Sequence, residues 1–232
     1  MSDGTILRWS DYRAMPWRNG GGTTREVASG TIPDPAPAPG SAPAPDFASA
    51  TREPATGEPA TRESAARSSG SPASGADAFD WRISVADVAE GGPFSAFPGI
   101  DRVITLVEGS GMVLTVDDAP PRTVEPLTPF AFPGDARTGC SLEAGPVRDM
   151  NVMTRRGRAS ARVRLLRVGD GGTELSGGAG EIVLALAVTE GVTVGEGDTA
   201  FPLGRLDCAR ATPRLSLRGA GTVAEIRISP AR

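Results

Sequence analysis

The chain has 232 residues, of which 39% are hydrophobic, and it carries a formal net charge of -4. It contains no histidine, and all 24 of its basic residues are arginines. Enzymes that need a histidine-activated nucleophile, an imidazole-bound metal, a Schiff-base lysine or a phosphate-loop lysine are therefore excluded. The remaining polar chemistry favours recognition of an anion by arginine. The acidic balance argues against a nucleic-acid partner.

The start of the chain lacks the basic residues and apolar run of a signal peptide, and no later apolar run reaches the roughly 18 residues of a membrane span. We therefore expect a cytoplasmic protein with no membrane partner. The two cysteines, Cys140 and Cys208, lie far apart and match no metal or redox spacing. Both are predicted to be free thiols that pack inside the protein.

The first polar segment that could bind a ligand is PWRNGGGTTRE, residues 16–26, which contains three successive glycines. Glycines let a backbone turn sharply or approach a ligand, but the lysine and the following helix of a phosphate loop are missing. Trp17, Asn19 and Arg25 could offer an apolar wall, an amide and a bidentate cation, with Glu26 beside them. The alternative is a hairpin whose Arg25 and Glu26 simply pair with neighbouring strands.

From residue 30 to about residue 78 the composition changes abruptly to Pro, Ala, Ser, Gly, Thr and Glu. Such a segment is predicted to be disordered because it has too few apolar residues to bury. We favour a solvated loop inserted into a hairpin, since the cost of closing a loop grows only slowly with its length. A partner-binding segment is the alternative.

The rest of the chain is predicted to form short strands separated by Gly-rich and Pro-rich turns. Trp81, Ile83 and Val85 alternate with more polar residues, which is the period of a strand. Residues 103–107 and 112–116 flank an EGSG turn and are predicted to pair as a hairpin. Further predicted strands cover residues 147–153, 162–168, 181–188 and 223–228. Without a long amphipathic helix, this pattern favours an antiparallel sandwich or barrel.

A second polar segment is GPFSAFPGIDR, residues 92–102, and the chain after it, LVEGSGMV, resembles the first conserved motif of cupins. A metal-binding cupin has two histidines and a glutamate before that glycine. Here Ser95 and Phe97 stand near the histidine positions, and Arg102 stands in the place of the glutamate. A cation thus replaces the metal ligands, so no metal and no other cofactor is expected. Residues 130–137 resemble the second cupin motif, with Arg137 near its histidine position.

The third polar segment is RDMNVMTRRG, residues 148–157, in which Asp149 and Asn151 share one face of a predicted strand. Polar residues that point into a barrel need partners, because an unpaired buried polar group costs about 1 to 3 kcal/mol. Arg82 or Arg102 could supply those partners. A purely structural network is therefore the alternative to a ligand site.

Four segments in the same order resemble the HutD/Ves family of bicupins: PWRNGGGTTRE, FDWRISVADV, GPFSAFPGIDR and RDMNVMTRRG. The resemblance is close over residues 5–29 and 79–157. It implies an all-β fold of two antiparallel β-barrel or jelly-roll halves packed together. The amino-terminal half would span residues 1–157, and residues 158–232 would form a degenerate second cupin half. The long disordered insert at residues 30–78 departs from the family, whose members have a shorter connection there.

The resemblance implies a cytoplasmic protein linked to histidine breakdown in some relatives and to a stress response in others, with no established enzymatic activity. It also implies binding of a pathway intermediate, N-formyl-L-glutamate, that moderates flux. The residues agree with this, since paired N–H donors of arginine suit a small carboxylate ligand. The candidate ligand-binding residues are Trp17, Asn19, Arg25, Glu26, Arg82, Ser84, Asp101, Arg102, Asp149 and Asn151.

Two functions of other classes compete with binding. One is an enzyme in which Glu26, Asp101 or Asp149 acts as general base and an arginine stabilises an oxyanion. The other is an interaction module in which the insert recruits a partner. A homodimer formed through strand edges is a further expectation, because unpaired edges readily pair with a second copy.

Overall fold

The computed structural model describes residues 6–17, 20–33, 79–197 and 200–231. Within these residues there are nineteen β-strands and one 3-10 helix, Trp9–Asp11, and no α-helix. The predicted all-β class is therefore confirmed. No helix in the described part of the chain is long and apolar enough to cross a membrane.

The strands follow one another closely along the chain. The first eleven are β1 (Ile6–Leu7), β2 (Ala14–Pro16), β3 (Gly22–Gly30), β4 (Trp81–Val88), β5 (Gly92–Pro93), β6 (Ile100–Glu108), β7 (Met112–Val116), β8 (Arg122–Val124), β9 (Phe130–Pro133), β10 (Thr138–Leu142) and β11 (Val147–Arg155). The other eight are β12 (Ala159–Val168), β13 (Thr173–Ser176), β14 (Ile182–Ala187), β15 (Val192–Val194), β16 (Phe201–Leu203), β17 (Cys208–Arg210), β18 (Arg214–Gly219) and β19 (Gly221–Pro230).

Strands β2 to β11 form two antiparallel sheets. The amino-terminal inner sheet has the order β2-β3-β4-β11-β6-β9, and the amino-terminal outer sheet has the order β5-β10-β7-β8. The two sheets pack against each other through apolar side chains such as Ile104 and Leu106 of β6 and Met112 and Leu114 of β7, all fully buried. This half is thus a sandwich of two stacked sheets and not a closed barrel.

The carboxy-terminal strands repeat this arrangement. Their inner sheet has the order β1-β17-β14-β19-β12, and their outer sheet has the order β13-β18-β15-β16. Val183 and Ala185 of β14 pack against Leu215 and Leu217 of β18 between the two sheets. Strand β1, from the start of the chain, belongs to this carboxy-terminal inner sheet, where it pairs antiparallel with β17.

The two inner sheets also pack on each other, which makes a molecule of four layers. Ile83 and Met150 on one side share a fully buried cluster with Leu184 and Ile226 on the other. Burying a large aliphatic side chain stabilises a fold by about 1.5 to 3 kcal/mol. Because both faces of each inner sheet are covered, the residues that alternate with this cluster point into the interior of their own half.

A short amino-terminal segment links the two halves. The Nη1 group of Arg8 donates a hydrogen bond to Oδ2 of Asp207 over 2.7 Å, and the backbone N–H of Trp9 donates to Oδ1 of Asp207 over 2.8 Å. The Trp9 ring lies under the guanidinium groups of Arg25 and Arg148, at 4.8 and 5.4 Å from its centre. The segment therefore holds β1 at the edge of the carboxy-terminal inner sheet and contacts the amino-terminal half.

All the predicted strands are present, but the predicted hairpin between residues 103–107 and 112–116 is wrong. Strand β6 pairs with β9 and β11 in the inner sheet, whereas β7 pairs with β8 and β10 in the outer sheet. The connecting turn crosses from one sheet to the other at Gly109, whose φ of 100° suits glycine. A Cβ atom there would lie 2.7 Å from Val147, so a larger residue would not fit.

The predicted insert begins between two neighbouring strands, because β3 and β4 pair antiparallel with Gly30 opposite Trp81. Its expected start at residue 30 is wrong. The side chain of Ile32 is buried, and its backbone N–H donates a 2.8 Å hydrogen bond to Oδ2 of Asp80. Residues 34–78 lie outside the described part of the chain, so their disorder stays a prediction.

Candidate functional site

A cavity of about 540 Å³ lies in the amino-terminal half. Three parts of the chain line it: strands β4, β6 and β11 of the inner sheet, the hairpin of β2 and β3, and the segment around β5. The lining residues are Met15, Pro16, Trp17, Thr24, Arg82, Ser84, Ala86, Pro93, Phe94, Ser95, Phe97, Arg102, Asp149, Asn151 and Met153.

The register of the inner sheet brings the polar residues together. In this register Asn151 lies opposite Ser84, and Met153 lies opposite both Arg82 and Arg102. Directly opposed residues of an antiparallel pair point to the same face. The face that carries these residues is the one turned away from the carboxy-terminal half. Along each strand, alternate residues therefore point to the buried apolar cluster on one side and to the cavity on the other.

Arg102 is the central cation of the cavity and is only 6% exposed. Three aromatic rings surround its guanidinium carbon, those of Phe94, Phe97 and Phe132, at 5.2, 5.5 and 4.8 Å from the ring centres. Its Nε donates a long 3.4 Å hydrogen bond to Oδ1 of Asn151. Within the described chain its terminal nitrogens donate no hydrogen bond and it has no carboxylate in ion-pair contact.

Burial lowers the pKa of Arg102 to about 10, and the nearby charge of Asp149 works in the opposite direction. Arg102 therefore stays charged at neutral pH. A buried guanidinium without a carboxylate partner is costly, because its desolvation is not offset by an ion pair. The aromatic faces offset part of this cost through cation–π attraction.

Asp149 is the second buried charge-bearing group and is 2% exposed. Its Oδ1 atom has no hydrogen-bond partner among the described residues. Burial raises the pKa of Asp149 to about 7, with Arg102 lowering it and Asp87 raising it. The carboxyl group is thus divided between its neutral and charged forms near physiological pH.

Two other polar residues of the cavity wall, Arg82 and Trp17, already have hydrogen-bond partners. Nε of Arg82 donates a 2.7 Å hydrogen bond to Oε2 of Glu26, and the Ser29 hydroxyl donates to the other oxygen of Glu26. Nε1 of Trp17 donates to the Thr24 hydroxyl over 2.8 Å. These contacts hold the Arg82 side chain and the indole ring in place at the edge of the cavity.

Comparison with known proteins assigns a family. The HutD family profile matches residues 57–226 of this chain. An uncharacterized 21.2 kDa protein in the hutC 3' region of Pseudomonas putida is 33% identical over 210 residues, which cover 90% of this chain and 87% of that protein. The chain belongs to the HutD family.

Other proteins with similar sequences or structures support this family assignment. Protein Ves of Citrobacter koseri is 34% identical over 163 residues, covering 68% of the chain and 63% of Ves. The structure of HutD from Pseudomonas fluorescens SBW25 (formate condition) has a TM-score of 0.66 at 30% identity, covering 98% of this chain and 99% of that one. Oxalate decarboxylase of Bacillus subtilis, in a variant form, gives a TM-score of 0.54 at 8% identity, covering 99% of this chain and 78% of that one. This likeness in fold confirms the predicted bicupin class.

Six of the ten predicted ligand-binding residues line the cavity of this HutD-family protein: Trp17, Arg82, Ser84, Arg102, Asp149 and Asn151. Asn19 lies outside the described residues. The other three lie elsewhere, and in each case their partners explain why.

Arg25 and Glu26 were expected at the site, and neither lines the cavity. Arg25 points to the face turned toward the carboxy-terminal half, where it bonds Asp87 and stacks on Trp9. Glu26 points to the cavity side, but it is occupied by its ion pair with Arg82. The alternative interpretation, in which both residues pair with a neighbouring strand, describes their contacts correctly.

Asp101 is also misplaced by the prediction. It lies beside Arg102 in sequence and therefore points to the opposite face of β6. Its carboxylate accepts a 2.7 Å hydrogen bond from Arg156, and its side chain is 52% exposed. Asp101 is a surface ion-pair residue and takes no part in the cavity.

The aromatic rings around Arg102 were not predicted. Phe94 and Phe97 lie in a Gly-rich and Pro-rich segment, and Phe132 lies on the edge strand β9. Two phenylalanines so close together in a turn-forming segment are a usable signal, because such residues seldom remain on the surface without a function. Thr24 and Met153, which also line the cavity, carry no comparable signal.

The cavity residues do not fit a metal ion. Over the described chain, no three His, Cys, Asp or Glu side chains are grouped so that they could hold one. The charged group at the centre is the Arg102 guanidinium, which repels a cation and cannot act as a ligand.

The corresponding face of the carboxy-terminal inner sheet also carries charges, but they are paired. Glu225 of β19 is 1% exposed, and its two oxygens accept hydrogen bonds from Nε of Arg164 over 2.6 Å and from Nε of Arg227 over 2.7 Å. Arg227 also donates to Oε2 of Glu181 over 2.8 Å and to the backbone oxygen of Ser176 over 3.1 Å. The buried carboxylate of this half is therefore fully matched by its own arginines.

Proposed function

We propose that this HutD-family protein binds a small carboxylate in the amino-terminal cavity, without a metal ion. The observation that carries the proposal is Arg102: a buried, charged guanidinium that lines the cavity and has no carboxylate partner among the described residues. A ligand carboxylate would supply the missing partner, and charge-assisted hydrogen bonds to arginine are among the strongest in proteins. The cavity volume of about 540 Å³ lies in the usual range for small-molecule sites.

The cavity also favours an acid with a short organic chain. The rings of Phe94 and Phe97 and the indole of Trp17 give it apolar walls, and Asn151 and Ser84 offer amide and hydroxyl groups. Arg82 at the edge is a second cation, although Glu26 already neutralises it. N-formyl-L-glutamate combines carboxylates, an amide and a short chain, and is the candidate that we favour.

The family membership supports, as part of this proposal, a regulatory role in histidine breakdown. Relatives carry the names HutD and hutC 3' region protein, and a protein that binds an intermediate without turning it over can moderate flux through a pathway. We propose this role, in the cytoplasm, for the present chain.

Thermal unfolding tests the proposal. The purified protein is heated with and without a chelator, against N-formyl-L-glutamate, glutamate, formate and urocanate. A ligand at about 100 times its Kd should stabilise the folded state by about 2.7 kcal/mol, and the chelator should not change this. Arg102→Met should abolish the shift. Arg137→Met, which removes an 81% exposed arginine that does not line the cavity, should preserve it. No shift with any acid at millimolar concentration would contradict the proposal.

An enzyme is the second candidate, and one observation favours it: a buried carboxyl, Asp149, with a pKa of about 7 beside a buried cation. A general base works best when its pKa is close to the working pH, and Arg102 could stabilise an oxyanion. Glu26 and Asp101 no longer compete for this role, because each is held in an ion pair with an arginine and neither lines the cavity. Turnover of a formylated or keto acid that is lost in Asp149→Asn would favour the enzyme over the binding protein.

The interaction-module hypothesis depends on the insert and stays a prediction. Removing residues 34–78 keeps the described part of β3 and Ile32 intact, and tests whether the insert recruits a partner. Homodimer formation through strand edges likewise stays a prediction, which the molar mass in solution would test.

A further inference from the structure

Asp149 is a buried group of the cavity that carboxylate binding by Arg102 leaves unexplained. It lines the same cavity, yet Oδ1 has no hydrogen-bond donor within the described chain. An unpaired buried oxygen is costly, so a partner supplied by the bound state would recover this cost. That partner is either a proton or a donor on the ligand.

The charged and titratable groups around Asp149 leave few choices. Arg102 on β6 attracts its negative charge, and Asp87 on β4 repels it. Cys140 on β10 is a half-buried thiol whose pKa is raised to about 11 by burial, then by Asp149, so it is neutral. Arg82 on β4 is held by Glu26. Among the described residues, Arg102 is therefore the cation near Asp149 that has no other carboxylate as a partner.

A bound anion changes the charge balance of this group. Without ligand, Arg102 and Asp149 can balance each other across the cavity. A carboxylate beside Arg102 adds a second negative charge, so one cation would face two anions away from water. Like charges in such a site cannot both remain ionised, and one carboxyl group becomes protonated.

We infer that Asp149 is protonated in the complex and donates this proton to a ligand oxygen, so that the cavity takes up one proton whenever Asp149 is ionised before the carboxylate binds. The inference rests on the proposed function and extends it. The proton comes from solvent, and no covalent bond forms or breaks. The site then selects ligands that present a hydrogen-bond acceptor to Asp149, and a ligand that places an N–H group there would bind without proton uptake.

The affinity should depend on pH in a defined direction. A proton bound more tightly in the complex than in the free protein makes binding strongest where free Asp149 is already protonated. Affinity should therefore be constant below pH about 7 and fall by up to about tenfold per pH unit above it. Arg102 does not contribute to this change near neutral pH, because its pKa is about 10.

Isothermal titration calorimetry with N-formyl-L-glutamate at pH 8 tests the inference, using two buffers of different ionisation enthalpy. About one proton should be taken up per ligand by the wild type. Asp149→Asn keeps the shape and a donor, so it should bind the ligand with no proton uptake and no pH dependence. Cys140→Ser, the matched control, should behave as the wild type.

Two outcomes separate the inference from the proposed function. Binding by the wild type without proton uptake would overturn the role of Asp149 and leave carboxylate binding intact. No binding at any pH would overturn both. Should Asp149→Asn fail to fold, the carbon-13 NMR signal of the Asp149 carboxyl in the wild type replaces it: its titration midpoint should rise on ligand addition, and an unchanged midpoint would overturn the inference.

Discussion

The two halves of the molecule differ in how their buried charged residues are paired. Each turns charged residues from its inner sheet into its own interior. In the carboxy-terminal half, buried Glu225 has Arg164 and Arg227 as partners. In the amino-terminal half, buried Arg102 has an amide and three aromatic rings, and Asp149 has an oxygen without a donor. The charges of the carboxy-terminal network are matched by the protein itself, whereas our proposal assigns the unmatched groups of the amino-terminal half to ligand binding, at the expense of stability.

The pH dependence of stability gives the largest expected effect. The pKa of Asp149 is about 7 in the folded protein and roughly 4 in an unfolded chain. The folded state thus binds this proton more tightly. The stabilisation is fully present below pH about 4, falls as the pH rises to about 7, and totals about 4 kcal/mol.

Asp149→Asn should remove this dependence. Urea unfolding of both proteins between pH 4 and pH 8 measures this. The free energy of unfolding of the variant, relative to the wild type, should rise by about 4 kcal/mol over this range. The same pH dependence in both proteins would contradict the prediction.

Arg227→Met should break the matched network. The change leaves the fully buried Glu225 side chain with Arg164 alone, and Arg164 is partly exposed. Removing one partner of a buried ion pair destabilises a protein by about 3 kcal/mol. Urea unfolding at pH 7 measures the loss. Arg210→Met, at an exposed position on β17, is the control and should change the free energy of unfolding by less than about 0.5 kcal/mol.

The same substitution in the other half, Arg102→Met, should change the stability little and the ligand affinity strongly. A methionine fits among Phe94, Phe97 and Phe132, and Asp149 can become neutral, so the free energy of unfolding should change by less than about 1 kcal/mol. Carboxylate affinity should fall at least about thirtyfold, since a buried charged contact is lost. A stability loss as large as that of Arg227→Met, with unchanged affinity, would make Arg102 a structural residue.

Arg25→Ala should have the smallest effect. Arg25 lies on the far side of the inner sheet from the cavity, and Asp87 keeps its second partner, Arg148, at 2.5 Å. A partly exposed ion pair contributes about 0.2 to 1 kcal/mol. Stability should fall within that range, and ligand affinity should change less than about twofold by calorimetry. A larger loss of affinity would show that Arg25 takes part in ligand binding.

The sequence predicted strands such as β4 well because apolar and more polar residues alternate along them with a period of two. On β4, however, the more polar face of Arg82 and Ser84 is not a solvent face, since the outer sheet covers it. The alternation alone could not distinguish the two cases. The hairpin prediction for β6 and β7 failed for a related reason: a Gly-rich turn allows both a hairpin and a crossing between sheets, and only the packing of the two sheets decides.

The errors in the site follow from strand geometry. Arg25 and Glu26 are neighbours on one strand, as are Asp101 and Arg102, and neighbours on a strand point to opposite faces. Only one residue of each pair could reach the cavity side, and the sequence contained that information. The enclosure of Arg102 by Phe94, Phe97 and Phe132 did not follow from the sequence, because it depends on how a segment without regular structure folds over the sheet.

A crystal structure of the protein with N-formyl-L-glutamate tests the central claim most directly. The account predicts a ligand carboxylate within hydrogen-bonding distance of the Arg102 terminal nitrogens, with Asp149 against a ligand oxygen, and no ligand against Glu225. A ligand seated in the carboxy-terminal half, or one in the cavity that leaves Arg102 without a contact, would contradict it.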